Sequence, residues 1–439
     1  MVRVDLTRPS GRMLPDFAGL ALESFDVRSQ LLDPTRTKIA KFLSLLGPSR
    51  LRIGGTEKGI FWQADPNAPP PVWAKLVVRD ADFVRLAKLT TRTGWRVDLG
   101  VGLAHYDPSN AAQEVADASR RLGHALASVE IGNEPDLYGS NGTRPAPYDY
   151  RAYRSEFEAY RAAIAAAAPG VPIAGPDLAR SPVVTDWLDR FVSDEHSHLA
   201  FAAQHQYVTT ACRGSKTSIG ELLSTDVRLR TQRFVDELVA LARRGRIPAR
   251  LDETNSTSCG GQPGVSDRFA SALWAVDYLL DSARRGVAGA NLNGFLEACF
   301  GYTPLCSDAN GRLHAQPVFY ALLFVHAVGS GAFLPVSSKP DPKLSVYAVR
   351  RGNGSVAIVA VNRAAKNTSL AIEIAGTHTA RLWSLTAPSL TSTGSVTFGG
   401  AAVTSAGTFT PGSVAVPRSV VGYRVNVPPG SAVLLTIPS

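Results

Sequence analysis

Between residues 17 and 295 the chain alternates short apolar runs with longer amphipathic stretches. The runs are FAGLALE (17–23), SRLRIGG (49–55), WRVDLGVG (95–102), SVEIGNE (128–134), VPIAGPD (171–177), FAAQHQY (201–207), ARLDETN (249–255) and GANLNGF (289–295). Each has strand length and predicts a buried parallel strand. Between them, stretches such as YRSEFEAYRAAIAAAA and TDVRLRTQRFVDELVALARRG carry apolar residues at three- and four-residue spacing, which predicts helices. Eight such repeats in roughly 310 residues predict a (β/α)8 barrel. The rival, a doubly wound open sheet, would want a Gly-rich phosphate loop after an early strand, and the sequence has none.

Beyond residue 340 helical periodicity stops. LSVYAVRR, GSVAIVAVNR, SLAIEIAG (369–376), TARLWSLTA and SAVLLTIPS are short, alternating and rich in β-branched residues, with turn residues between them. They predict an all-β domain, a small sandwich. VRVDLTR at the start also alternates and is expected to add an edge strand to it. The expected division is therefore 1–14 with the sandwich, 15–330 as the barrel and 338–439 as the sandwich. The turn-rich SSKPDPK (337–343) marks the boundary.

Composition narrows the class. The chain has 439 residues, 45% hydrophobic and 19% charged, which is globular rather than disordered. No apolar run is long enough to span a membrane. The opening MVRVDLTRPSGRM holds no apolar leader core. The formal charge is 46 − 37 = +9, which suits an anionic partner or simple solubility. Zinc-finger spacings, RNA-binding aromatic motifs and basic helices are missing, so nucleic acid is not expected as a partner.

Cys212, Cys259, Cys299 and Cys306 include no CxxC pair, so no metal site is expected. Four cysteines in loop-like surroundings fit two disulfides, with Cys299–Cys306 closing a small loop and Cys212 left for Cys259; the alternative is four reduced thiols. The disulfide reading implies a secreted or periplasmic protein whose leader lies outside this sequence.

A barrel of this kind gathers polar residues at the C-terminal ends of its strands. Those positions are Glu23, Asn133, Glu134, Asp177, His205, Tyr207, Asp252, Glu253, Asn255, Asn293 and Glu297. Glu134 and Glu253 each close an apolar run at the mouth, on strands 4 and 7, which stand across the barrel from each other. Two such carboxyls are what glycosidic cleavage needs, one to protonate the leaving oxygen and one, ionised, to attack or to activate water.

Asn133-Glu134-Pro135 ending strand 4, with a second glutamate on strand 7, resembles the clan A glycoside hydrolases. LDETNSTSCGGQPGVSDRFASALWAVDYL (251–279) resembles the nucleophile segment of glycoside hydrolase family 79, the heparanase and β-glucuronidase family. LRIGGTEKGIFW (51–62) and GYTPLCSDANGRLHAQPVFYALLF (301–324) are similar to two further segments of it, so the resemblance spans nearly the whole chain.

The resemblance implies Glu134 as acid/base and Glu253 as nucleophile of a retaining mechanism. It implies that Asn133 holds the sugar 2-hydroxyl, that Tyr207 donates to Glu253 with His205 beside it, and that Glu23 floors the subsite. Gly301 and Tyr302 would hold a uronate carboxylate. Where the family often has a tyrosine, five residues after the nucleophile, stands Ser258, followed by Cys259 in place of Gly. A Cys212–Cys259 bridge would tie the loops after strands 6 and 7 and shape the cleft there.

Trp62 is expected either to stack on a sugar or to pack in the core or surface, and Lys58, Arg180, Arg213 and Lys216 either to meet anionic groups on neighbouring sugars or to be solvated; His105 and Tyr106 are candidates for the cleft lining. The expectation is a retaining endo-β-glucuronidase of the bacterial heparanase type. Its partner would be an anionic polysaccharide such as heparan sulfate or heparin, with no cofactor, no metal and a monomeric chain. An exo-β-glucuronidase releasing terminal glucuronic acid is the alternative. A non-catalytic polysaccharide-binding barrel is the reading from another class, and the presence of both glutamates with Asn133 and Tyr207 speaks against it.

Overall fold

The structure, a computed structural model, describes residues 1–439 except 183, 375–377 and 421, so the last two residues of the 369–376 run lie outside the described residues. All eight expected barrel strands form. They are Ala18–Glu23, Arg50–Gly54, Arg96–Val101, Leu126–Ile131, Ile173–Leu178, Leu199–Gln204, Ala249–Ser258 and Gly289–Gly294, here called strands 1 to 8. Each pairs in parallel with the next. Ala290 lies opposite Ala18 and Ala202 opposite Ala249, which closes the barrel.

The amphipathic stretches wrap it as helices. Tyr150–Ala167 starts where the Asp149 side chain accepts the Ala152 N–H, and buries Tyr153, Phe157, Tyr160 and Ile164 at helical spacing. Thr225–Arg244 starts at Ser224, whose hydroxyl accepts from Val227.

Strand 6 departs from its expected form. It stops at Gln204, skips His205, and resumes as a short strand, Gln206–Thr210. This second piece pairs with the outer half of strand 7, with Tyr207 opposite Asn255. Strand 7 is consequently ten residues long, and Glu253 sits at its middle rather than its end. The interruption lifts His205 and Tyr207 to the level of Glu253.

Two further sheets follow the barrel. One has four strands, in the order Val336–Ser338, Val2–Val4, Thr368–Glu373, Tyr423–Val427. The N-terminal strand therefore lies inside this sheet, not at its edge as its sequence suggested, because Val336–Ser338 covers its free side. The other runs through Arg12–Met13, Gly331–Leu334, Leu344–Arg351, Val356–Asn362, Ser431–Ile437, Ala380–Thr386 and Thr397–Phe398, with Val414–Val416 also on Ala380–Thr386. Val2, Ile372 and Val425 of the first share one apolar cluster with Ile358, Val433 and Leu435 of the second. The all-β part thus begins at Gly331, ahead of the expected turn-rich boundary, since Gly331–Leu334 pairs with Leu344–Arg351. Between barrel and sheets lies the helix Phe319–Val328, apolar on nearly all sides as a helix covered from both directions must be.

Candidate active site

Strand 4 ends at Ile131, and the next three amides are each held by a different neighbour. Gly132 N–H donates to Val101 at the end of strand 3 (3.0 Å). Asn133 N–H is shared by the Tyr138 hydroxyl (3.2 Å) and the Glu57 carboxyl (3.4 Å). Glu134 N–H donates to the Asp177 carbonyl on strand 5 (2.9 Å). These anchors hold Glu134 in the left-handed region (φ 52°, ψ 49°), a conformation that a non-glycine residue keeps only where its surroundings impose it. Pro135 then opens a short 3-10 turn, where its missing N–H costs nothing. The break in SVEIGNEP is thus a turn that aims one carboxylate into the barrel mouth.

Glu253 meets it there. Its Oε1 accepts from the Tyr207 hydroxyl (2.7 Å) and its Oε2 from Arg52 (2.9 Å). Between the two glutamates stands His205, buried, with Nδ1 3.1 Å from Glu134 Oε1 and 3.9 Å from Glu253 Oε2. Carboxylate oxygens of Glu134 and Glu253 and a ring nitrogen of His205 lie within 4.8 Å of one another.

The electrostatics separate these groups. Burial by itself would push the Glu253 carboxyl up. The charges of His205 and Arg52 and the hydrogen bonds of Tyr207 and Arg52 outweigh it and hold Glu253 below the usual carboxylate range. Burial opposes a charged His205, but Glu253, Asp177 and Glu134 outweigh it and hold its pKa above the ordinary value. Glu23, buried on strand 1 and facing the charge of Glu253, is pushed up. Its Oε2 accepts from Thr56 N–H at 2.7 Å. Gly55 (φ 97°) makes room for that carboxyl, since a Cβ there would stand 2.5 Å from it.

Below the mouth lies a layer of buried charge. Glu130, Asp177 and Asp252 present oxygens within 4.8 Å of one another. Burial raises the pKa of all three. Arg52 bridges this layer to the mouth, giving Nε to Glu130 (2.7 Å), one amino group to Glu253 and the other to the side-chain amide oxygen of Asn133 (3.0 Å). Arg250 pairs with Asp252. Among the described residues this trio and Glu134–His205–Glu253 have the spacing of metal ligands. The mouth set already takes hydrogen bonds from Tyr207, Arg52 and His205, and the lower set is offset by Arg52, Arg250 and His205.

A cleft of about 810 Å³ opens over the glutamates. Of the residues singled out from sequence it is lined by Glu23, Asn133, Glu134, Arg180, Tyr207, Glu253, Ser258, Asn293 and Tyr302. Asn293 Nδ2 donates to the Tyr207 and Tyr302 hydroxyls (3.0 and 3.3 Å). Cys212 and Cys259, joined in a disulfide, form part of the wall, and Cys299–Cys306 is the second bridge. Ser258 donates its hydroxyl to Thr210 beside the first bridge (2.9 Å).

Other candidates lie elsewhere. Trp62 is buried, stacked on Phe83 at 5.1 Å, and borders a separate cavity of about 50 Å³ with Trp73 and Glu57; its place in the helix–sheet packing removes it from the sugar. Lys58, Arg213 and Lys216 are exposed but do not line the cleft. Gly301 is not a lining residue either; its Cα faces the Gly260 carbonyl so closely that a Cβ would lie 1.7 Å from that oxygen. His105 stacks on Trp73 (3.8 Å), and Glu297 accepts from Ser29 (2.6 Å). Asn255 braces the carbonyls of Asn293 and Tyr302 (2.8 and 3.1 Å).

Sequence reasoning missed Arg52, Glu57, Arg230 and Phe295. Arg52 carried the clearest signal, a charge inside the apolar run SRLRIGG. The side chain of Glu57 gathers N–H groups of Leu103 (2.5 Å) and Asn133 and the Tyr138 hydroxyl, and burial pushes its carboxyl up to about 8. Nothing local marks it.

The barrel is one that glycoside hydrolases share. A 4-O-α-L-rhamnosyl-β-D-glucuronidase from Fusarium oxysporum superposes with a TM-score of 0.80 at 15% identity, covering 99% of this chain and 98% of that one. A family 51 α-L-arabinofuranosidase of Bifidobacterium longum gives 0.73 at 14%, over 99% of each chain. At such identities the likeness is one of fold. No family model matches the chain.

Among curated proteins, a β-glucuronidase of Aspergillus niger is 30% identical over 193 residues, 39% of this chain and 35% of that protein. A β-glucuronidase of Neurospora crassa is 24% identical over 200 residues, 40% and 34% of the two chains. The matched region spans about a third of the length of these relatives.

Proposed function

We propose that the protein is a retaining β-glucuronidase of the heparanase type, cutting β-glucuronidic linkages inside an anionic glycosaminoglycan such as heparan sulfate. The observation that carries the reading is the pair Glu134 and Glu253, with oxygens within 4.8 Å and Glu253 held ionised. A retaining pair needs carboxyls about 5–5.5 Å apart, whereas an inverting pair leaves about 6.5–9.5 Å for a water. The names of both curated relatives, and of the Fusarium neighbour, support a glucuronide as substrate.

In this mechanism Glu253 attacks the anomeric carbon while Glu134 gives its proton to the glycosidic oxygen. A water then yields a proton to Glu134 and its oxygen to the anomeric carbon, releasing Glu253. Arg52 and Tyr207 hold Glu253 anionic and aimed. Arg52 also donates to the side-chain amide oxygen of Asn133, which leaves the amide –NH2 for the sugar 2-hydroxyl. Glu23 floors the subsite and Tyr302 meets the uronate, with Arg180 on the wall beside Glu134. The two disulfides support a secreted or periplasmic protein, and we read the two C-terminal sheets, with residues 1–14, as a sandwich domain on the barrel.

Glu253→Gln tests the mechanism. Its kcat on an aryl β-glucuronide should fall at least about 10³-fold; turnover near the wild-type rate overturns the assignment. Exo release of terminal glucuronate is the second reading, favoured if the cleft closes behind the glucuronate. Product sizes on a long heparan sulfate chain separate the two, since mid-sized fragments appear early only with internal cutting.

A further inference from the structure

The cleft wall on the strand 8 side is built from rings. Tyr207, which holds Glu253, packs against Tyr302 with centroids 5.6 Å apart. Tyr302 stacks on Phe295 (5.9 Å, 18°), and Phe295 on Phe300 (4.7 Å, 16°). Four rings thus run in a row outward from Glu253. Phe300, the last, is 49% exposed.

Phe300 is also fixed in place. Its neighbour Cys299 is bridged to Cys306. Gly260 approaches it so closely that a Cβ there would touch the ring at 3.4 Å. Phe295 N–H is held by the Thr303 hydroxyl (3.2 Å). A pinned ring with an open face, at the end of a stack whose first three rings line the cleft, presents a flat apolar surface just beyond it. The C–H face of a pyranose stacks on such a surface, whereas a sulfate or carboxylate finds no partner there.

Charge divides the cleft in the same sense. The cations that line it, Arg180 and Arg230, follow strands 5 and 6, and neither is in a salt bridge among the described residues. The Arg180 N–H donates to Asp136, two residues beyond Glu134. The acid protonates the leaving oxygen, so the leaving sugar lies on the side of Glu134 and Arg180. Strand 8 is four places round the barrel from strand 4, so the rings lie on the opposite, non-reducing side.

Resting on the glucuronidase reading, we propose that Phe295 and Phe300 form a subsite for an uncharged pyranose attached at the non-reducing side of the glucuronate. The enzyme would then cut next to an unsulfated neighbour on that side and accept a sulfated one on the leaving side.

Three aryl β-glucuronides test this, one with a free 4-hydroxyl, one with a neutral pyranose on O4 and one with a sulfated pyranose there. Phe300→Ala should lower kcat/KM about tenfold more on the neutral extended substrate than on the unextended one, mostly through KM. The wild type should prefer the neutral to the sulfated extension. Equal losses on both, or a preference for the sulfated extension, overturns the subsite. Calorimetric binding of the same three compounds to Glu253→Gln, with and without Phe300→Ala, reads the subsite without turnover. A wild type that hydrolyses none of the three therefore sinks the glucuronidase reading alone, while the binding difference still decides the subsite.

Discussion

Glu57 shows how one buried carboxyl can brace the turn that carries Glu134. It ties the loops after strands 2, 3 and 4 together, and one of its partners is the amide that precedes Glu134. Its pKa rises from 4.5 to about 8 because burial penalises the charge. Between those values the unfolded chain carries the ionised carboxylate while the folded protein keeps the proton. Unfolding there releases a proton, so stability falls as pH rises through the window. Glu57→Gln removes this dependence. Urea unfolding at pH 5 and pH 8 should show the wild type losing more than about 1 kcal/mol relative to the variant over that range. Parallel pH profiles for the two proteins would contradict the assignment. The same scale shows what sequence could reveal about the site. Glu134 and Glu253 stood out because each put a carboxylate at the mouth end of an apolar run. Glu57 and Trp62 looked alike, as chemistry-capable residues in one loop, and only packing sent one to the turn under Glu134 and the other into the wall.

Elements place these residues by small irregularities. The break at His205 lets one chain segment serve two levels of the barrel, with His205 between the glutamates and Tyr207 against Glu253. The Cys212–Cys259 bridge ties the loop after Gln206–Thr210 to the loop after strand 7, closing a separation of 47 residues. The double variant Cys212→Ser/Cys259→Ser should lose about 2–4 kcal/mol of unfolding free energy. Because these cysteines line the cleft, KM on a glucuronide should rise while Glu253 keeps its partners. Urea titration and steady-state kinetics check both, and an unchanged KM would mean that the loops hold their shape unaided. The bridges were legible only as an even count with one short spacing. The extra strand Gln206–Thr210 was not legible at all, because FAAQHQY reads as one continuous run whether or not the backbone skips a residue.

At the scale of the whole molecule, Asp277 joins the barrel to the sheets. It sits on the helix Phe269–Arg285 and accepts from Arg228 of a barrel helix (3.1 Å), from Tyr347 of the eight-stranded sheet (2.5 Å) and from Arg363 just past a strand of the same sheet. Asp277→Ala leaves two guanidinium groups without their shared carboxylate. Removing one member of a buried ion pair costs about 3–5 kcal/mol. Calorimetry should show a single unfolding transition in the wild type and a lowered Tm in the variant. Two resolved transitions in the wild type would show that barrel and sheets unfold independently of this contact.

The sequence by itself determined the barrel and its eight strand positions, and singled out Glu134 and Glu253 at the mouth, because strand burial is written in local periodicity. Tertiary structure decided the rest. It set the inner position of Val2–Val4, the buried layer of Glu130, Asp177 and Asp252, the bridging role of Arg52, and the ring stack that ends at Phe300. Each of these depends on which distant segments meet when the barrel closes, and a charge or a ring carries no sign of its partner until they do.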